Sequence, residues 1–135
     1  MAIIISDIDD TVLRAGIYPI RKTIDFLNEQ AKNHTIVMIT GRSQSQADQT
    51  RAALKRAGLN YNRLYLNNTD LPDNEFKKQK AEEVKKMGRV VLAIENNPNA
   101  RRAYSSIGIK AVHPNRIGPR LMKEDTWAGR FTKWL

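Results

Sequence analysis

The chain has no cysteine among its 135 residues. That absence excludes disulfide staples, zinc–thiolate centres and a cysteine nucleophile. Histidine is nearly as scarce. The two present, His34 and His113, stand far apart in sequence, so any metal site is expected to use oxygen ligands. Long hydrophobic runs are missing as well. None approaches the roughly 20 residues that a membrane-spanning helix needs. Ile3-Ile4-Ile5 is apolar, but no basic segment precedes it and acidic residues follow at once, which makes a poor secretory signal. The expectation is a cytoplasmic protein without a membrane partner. Acidic residues are outnumbered, 14 Asp and Glu against 23 Lys and Arg, for a net charge of +9. Such a surface favours polyanions such as nucleic acid or phosphorylated ligands, although a basic surface is also compatible with no specific partner.

What the chain does contain is alternating apolar segments of two kinds. Ala2 to Ser6, Thr35 to Thr40 and Val90 to Ile94 are apolar at nearly every position, the pattern of strands covered on both faces. Leu64-Tyr65-Leu66 and Ile109 to Val112 read as shorter strands. Between them lie segments with helical spacing. Pro19 suits the first turn of a helix whose stripe is Ile20, Ile24, Leu27 and Ala31. A second helix carries Ala47, Leu54 and Ala57 inward and stops at Gly58. A third, highly charged, runs from about Asn74 to Met87. A fourth starts at Pro98 with Ala100, Ala103 and Ile107 on one face. The order βαβαβαβαβ predicts an α/β fold, with a mostly parallel five-stranded sheet and helices on both faces. The length suits a single domain, with a core over about 2–113 and a basic, aromatic extension over 118–135 that carries Trp127, Phe131 and Trp134.

In an open α/β sheet, ligands gather at the carboxyl ends of the strands. Three predicted strand ends carry polar residues: Asp7, Asp9 and Asp10; Thr40, Gly41 and Arg42; Glu95, Asn96 and Asn97. If the first strand is central, these ends form one cleft. Asp7 and Asp9 brought together repel each other, and a divalent cation relieves that repulsion. One carboxylate can attack phosphorus and the other can serve as acid and base. An acidic turn or helix cap is the plainer alternative for the same residues.

Asp7-Ile8-Asp9-Asp10-Thr11-Val12-Leu13 resembles the first motif of the haloacid dehalogenase (HAD) superfamily. The resemblance implies a Rossmann-like, three-layer HAD fold and phosphomonoester hydrolysis through an aspartyl phosphate. It implies that Asp7 is the nucleophile and Asp9 the general acid/base. Magnesium would be held by Asp7, the Asp9 backbone carbonyl, Glu95 and Asn96. Asp10 stands where many relatives have Gly. Ile39-Thr40-Gly41-Arg42 resembles the second motif, which implies phosphoryl binding by Thr40 and Gly41, with Thr11 as a further substrate contact. Arg42 offers a fork of donors to a substrate phosphate, with a surface salt bridge as the alternative. The third motif is a phosphate-stabilising lysine, for which Lys77 is favoured over Lys78 and Lys80 because it follows Phe76 near a helix start. The fourth motif departs from the pattern. Glu95-Asn96 replaces a pair of carboxylates, so weaker magnesium binding is expected. The spacing between motifs leaves no room for a cap domain. The Thr-Gly-Arg and Glu-Asn-Asn-Pro segments are similar to the phosphatase domain of phage-type polynucleotide kinase and its stand-alone relatives, which remove 3′-phosphates from nucleic acid ends. That similarity implies a polynucleotide or nucleotide substrate. The alternatives are a small-molecule phosphatase and a binding module that has lost catalysis. No GxxxxGK[ST] segment is present, so no P-loop kinase lies in this chain.

Overall fold

A computed structural model describes residues 1–118 and 120–122. The isoleucine run forms strand β1 (Ile3–Ser6), and all four of its side chains are buried. That is what a strand covered on both faces requires. The chain continues through β2 (Leu13–Arg14), β3 (Tyr18–Pro19), α1 (Arg21–Gln30), β4 (Thr35–Ser43) and α2 (Ala47–Arg56). It ends with β5 (Arg63–Asn67), α3 (Asp73–Lys85), β6 (Val90–Ile94), α4 (Pro98–Ser106) and β7 (Ala111–Val112). The sheet order is β5-β4-β1-β6-β7, and every pairing in it is parallel. β1 is therefore central, between β4 and β6, as the clustering of polar strand ends requires.

Side-chain alternation divides the core into two layers. Ile4, Ile36, Met38, Leu92 and Ile94 face α1 and α2, where Ile24, Leu27 and Leu54 meet them. Ile3, Ile5, Val37, Ile39 and Ala93 face α3 and α4, where Phe76, Ala81, Val84 and Tyr104 meet them. Each fully buried Ile, Leu or Phe contributes about 1.5–3 kcal/mol, so both sheet faces are firmly held. Leu121 and Met122 rest against the first layer. Trp127, Phe131 and Trp134 of the expected extension lie outside the described residues.

Three expectations need correction. Pro19 does not begin a helix. It pairs with Leu13 in a small antiparallel hairpin, and α1 begins at Arg21 with Ile20 as its N-cap. The hairpin turn closes by the Ile17 N–H donating to the Arg14 carbonyl at 3.2 Å, with Ala15 (φ 51°) and Gly16 (φ 77°) both left-handed. Positive φ at both central positions is the type I′ geometry that suits a twisted hairpin. Secondly, β4 does not stop at Thr40. It runs to Ser43 across a register shift against β5 between Ile39 and Ser43, and such irregularities re-aim side chains at strand ends. Thirdly, α4 buries Ala100 as expected and Ile107 packs against the core, but the fully buried partner is Tyr104, and Ala103 is only partly covered. Tyr104 is the larger side chain and takes the inner position. Among the described residues there is no cap domain: only the short hairpin separates β1 from α1, and a five-residue loop (68–72) separates β5 from α3.

Candidate active site

The cleft grows out of the end of β1. Ser6 is level with Met38 of β4 and Ile94 of β6, and the Asp7 N–H donates to the Ile94 carbonyl at 2.9 Å. Asp7 thus emerges beside Glu95. The chain then turns sharply. The Ile8 carbonyl accepts from the N–H groups of Thr11, Val12 and Leu13, and Asp10 returns a bond to the Leu13 carbonyl at 2.8 Å. Asp10 is held at φ 60°, a left-handed backbone that explains why glycine suits this position. A cavity of about 170 Å³ results, lined by Asp7, Thr40, Gly41, Lys77, Glu95 and Asn96 among others.

Asp7 is almost fully buried and fixed on both oxygens. Thr11 Oγ1 donates to Oδ2 at 3.1 Å, and Lys77 Nζ donates to Oδ1 at 3.0 Å. Lys77 also donates to Glu95 Oε1 at 2.6 Å. The second Glu95 oxygen accepts from the Asn97 N–H at 3.1 Å. Two buried carboxylates thus face one ammonium. Burial, opposed by Lys77 and reinforced by Glu95, raises the Asp7 carboxyl to about 7. Burial also works against the charged Lys77, but Asp7 and Glu95 outweigh it and hold the ammonium above its ordinary value. Of the three candidate lysines, only Lys77 enters the cleft. Lys78 is exposed, and Lys80 pairs with Glu83 and lies 4.9 Å from the Tyr65 ring.

Asp9 has a different environment. Its side chain is 48% exposed and is gripped by Arg42, with Nε donating to Oδ2 at 2.9 Å and Nη2 to Oδ1 at 2.7 Å. Arg42 also donates to Thr50 Oγ1 at 3.1 Å and to the Gly16 carbonyl at 3.4 Å. Most of its fork is therefore committed to orienting Asp9 and anchoring the hairpin: of the two expectations for Arg42, the structure shows the salt bridge rather than a fork left free for a phosphate. The hydrogen bond from Arg42 to Asp9, net of burial, raises the Arg42 guanidinium further above its ordinary value. Thr40 is buried, and its Oγ1 accepts from the Arg42 N–H at 3.1 Å, which leaves its own O–H proton for a ligand. Thr11, expected at the substrate, is instead fully buried against Asp7.

Asn96 is half-buried, and Arg101 secures this strand end by donating to the Glu95 and Asn96 carbonyls at 2.9 and 2.8 Å. Asn97 caps α4, its side chain accepting from Asn99 and Ala100. Asp73, Thr50 and Arg101 are site residues that sequence reasoning missed. Asp73 lines the cleft over Gly41, where a Cβ would collide with its carboxylate. Its spacing of four from Lys77 on one helix was an available signal.

Magnesium is the cofactor this kind of site implies. Among the described residues, no three acidic or histidine side chains converge to hold a metal ion by themselves. The residual negative charge of Asp7 and Glu95 against Lys77 is nevertheless a cation-attracting arrangement. Magnesium typically takes one or two carboxylates and completes its shell with water and substrate phosphate. Asp7, Asp9 and Asn96 line one cleft, so the oxygen donors such an ion would need are present there.

A central strand ending in a buried carboxylate, with a threonine and a lysine from neighbouring elements, is the arrangement a HAD-like α/β fold provides. The comparisons agree. The chain belongs to the HAD superfamily, matching the family described as HAD superfamily, subfamily IIIB (Acid phosphatase), over residues 14–97. That span takes in Thr40, Lys77, Glu95 and Asn96, and begins after Asp7. No curated protein matches the chain. Among solved structures, the chain is similar to part of the Pnkp1/Rnl/Hen1 RNA repair complex, at 17% identity and a TM-score of 0.69, covering 83% of this chain and 42% of that one. A second Pnkp1/Rnl/Hen1 structure matches at 16% identity and a TM-score of 0.75, covering 83% and 45%. At such identity the likeness shows the fold, and this chain spans less than half of those chains.

Proposed function

We propose that this protein is a magnesium-dependent phosphomonoester hydrolase that acts through an aspartyl phosphate on Asp7, with 3′-phosphorylated nucleic acid ends as its substrate. The observation that carries this reading is the Asp7 carboxylate, buried at the mouth of the central strand between Thr11 and Lys77, in a chain of a phosphatase family. In this reading an Asp7 oxygen bonds to phosphorus as the bond to the leaving oxygen breaks. Lys77 offsets negative charge on the transferring group, and the Thr40 hydroxyl and Gly41 N–H hold its oxygens. Asp9, oriented by Arg42, gives a proton to the leaving oxygen and then takes one from the water that hydrolyses the aspartyl phosphate. Bound magnesium would supply charge neutralisation and alignment of phosphate against Asp7.

Three observations support a polynucleotide over a small metabolite. The net charge is +9. The cleft carries no cap among the described residues. The similar chains come from RNA repair complexes. Asn96, one carboxylate short at the metal, favours a second reading as a phosphate-binding module that has lost catalysis. The test is magnesium-dependent phosphate release from an aryl phosphate, nucleoside monophosphates and a 3′-phosphorylated oligonucleotide, with Asp7→Asn as control. Turnover of the oligonucleotide that Asp7→Asn abolishes supports the proposal. Turnover limited to mononucleotides removes the polynucleotide substrate, and binding without turnover favours the module.

A further inference from the structure

A general acid must touch the oxygen it protonates, so the body of the leaving group must lie on the Asp9 side of the cleft. On that side a groove of about 560 Å³ opens beyond Asp9 and Arg42. Its size falls within the roughly 300–1,000 Å³ typical of sites for small ligands. Ile17, at the hairpin turn, forms one wall; Gln46, Gln49, Ala52, Ala53 and Arg56 form the other. The last four recur at spacings of three and four, so they share one face of α2.

The groove presents apolar surface, amides and a guanidinium side by side. Ile17 is 55% exposed, an apolar surface left open beside polar neighbours. The Gln46 Oε1 accepts from the Ser43 N–H at 3.1 Å, which leaves its NH₂ group to donate. The side chains of Gln49 and Arg56 form no hydrogen bond or ion pair with the other described residues. Arg42 is neutralised by Asp9, so Arg56 supplies the groove's unpaired positive charge. Arg56 lies six residues beyond Thr50, the point on α2 that Arg42 reaches, and therefore about 9 Å further along the helix.

We propose that this groove receives the terminal nucleoside of a 3′-phosphorylated strand and that Arg56 binds the next phosphate along. The proposal rests on the phosphatase reading above and adds the means by which the site selects a nucleic acid end. Ile17 and Ala52 offer apolar contact to a base face. The amides of Gln46 and Gln49 present both donors and acceptors, so they can meet the edge of any base. A guanidinium suits a phosphate through paired, charge-assisted hydrogen bonds.

The test compares kcat/KM for 3′-phosphorylated strands of one and four nucleotides with kcat/KM for an aryl phosphate. Wild type is expected to favour the tetranucleotide. Arg56→Ala should lower the tetranucleotide-to-aryl ratio about tenfold, the scale of one charge-assisted contact, and mainly through KM. Gln49→Ala should lower the ratio for both strand lengths. Lys86→Ala, an exposed charge at the far end of α3, controls for bulk electrostatics and should leave the ratio unchanged. An Arg56→Ala effect no larger than that of Lys86→Ala overturns the proposal, as does a wild type that hydrolyses aryl phosphate without preferring nucleotides; the phosphatase reading survives both results. If no phosphate ester is hydrolysed, the phosphatase reading fails, and fluorescence anisotropy with the same labelled tetranucleotide decides the groove. A Kd about tenfold weaker in Arg56→Ala supports the groove, and an unchanged Kd overturns it.

Discussion

Replacing Lys77 by alanine removes the one cation between two buried carboxylates. The Lys77 side chain is 7% exposed, Asp7 6% and Glu95 0%, with contacts of 3.0 and 2.6 Å. At an effective dielectric constant near 20, the two contacts are worth about 5.5 and 6.4 kcal/mol of gross attraction. Desolvation of Lys77 offsets much of this, and removing one partner of a buried pair costs about 3–5 kcal/mol in practice. The site adds a pH signature. In the wild type the Asp7 carboxyl is raised to about 7 from an ordinary value of 3.8. The folded chain therefore holds a proton that the unfolded chain has released, and stability falls as pH rises through that window. Without Lys77 the folded value moves higher still. Above about pH 7 the wild type levels off, whereas the variant keeps losing up to ~1.4 kcal/mol per pH unit. Urea unfolding in a chelator at about pH 6, 7 and 8 measures this directly. The expected gap is about 3–5 kcal/mol at the alkaline end and narrower near pH 6, and Glu95→Gln in the same background should recover part of it. A gap under ~1 kcal/mol, or one that does not widen above pH 7, refutes the account of this triad.

Three other substitutions probe the cleft. Asn96→Asp restores a carboxylate to the proposed metal site and should lower the magnesium concentration for half-maximal activity by about 10-fold or more, read from a magnesium titration. Gly41→Ala places a methyl group against the Asp73 carboxylate, so it should lower phosphatase activity while melting temperature changes little; full activity would mean that Asp73 moves freely. Asp10→Gly relaxes the left-handed backbone at φ 60° and should leave stability equal or higher by up to ~1 kcal/mol in urea unfolding. A clear loss there would show that the Asp10 side chain, and not its backbone, is what the turn needs.

The sheet and the convergence of the strand ends were legible because they depend on local pattern. Strands apolar at every position required two covered faces, and a central β1 then brought Asp7, Thr40 and Glu95 together. Lys77 was legible from Phe76 beside it, since both face the layer beneath α3. The hairpin was hidden by its turn. Ala15-Gly16 reaches the geometry that Asn-Gly advertises, and Pro19, a residue that also suits a helix start, closes a strand pair. The task of Arg42 was hidden for another reason. Its partner Asp9 lies 33 residues away, and both become neighbours only when β4 continues past Thr40. Asp73 and Arg101 depend on the same tertiary placement, the first over Gly41 and the second on the carbonyls at the end of β6.

Trapping a covalent intermediate would show whether Asp7 is the nucleophile. The enzyme would be mixed with magnesium and a 3′-phosphorylated oligonucleotide, quenched in acid within the first turnover, digested and analysed by mass spectrometry. One phosphoryl group is expected on the peptide containing Asp7, released by hydroxylamine and missing from Asp7→Asn. Phosphate release with an unmodified Asp7 peptide, or undiminished turnover in Asp7→Asn, would contradict that role.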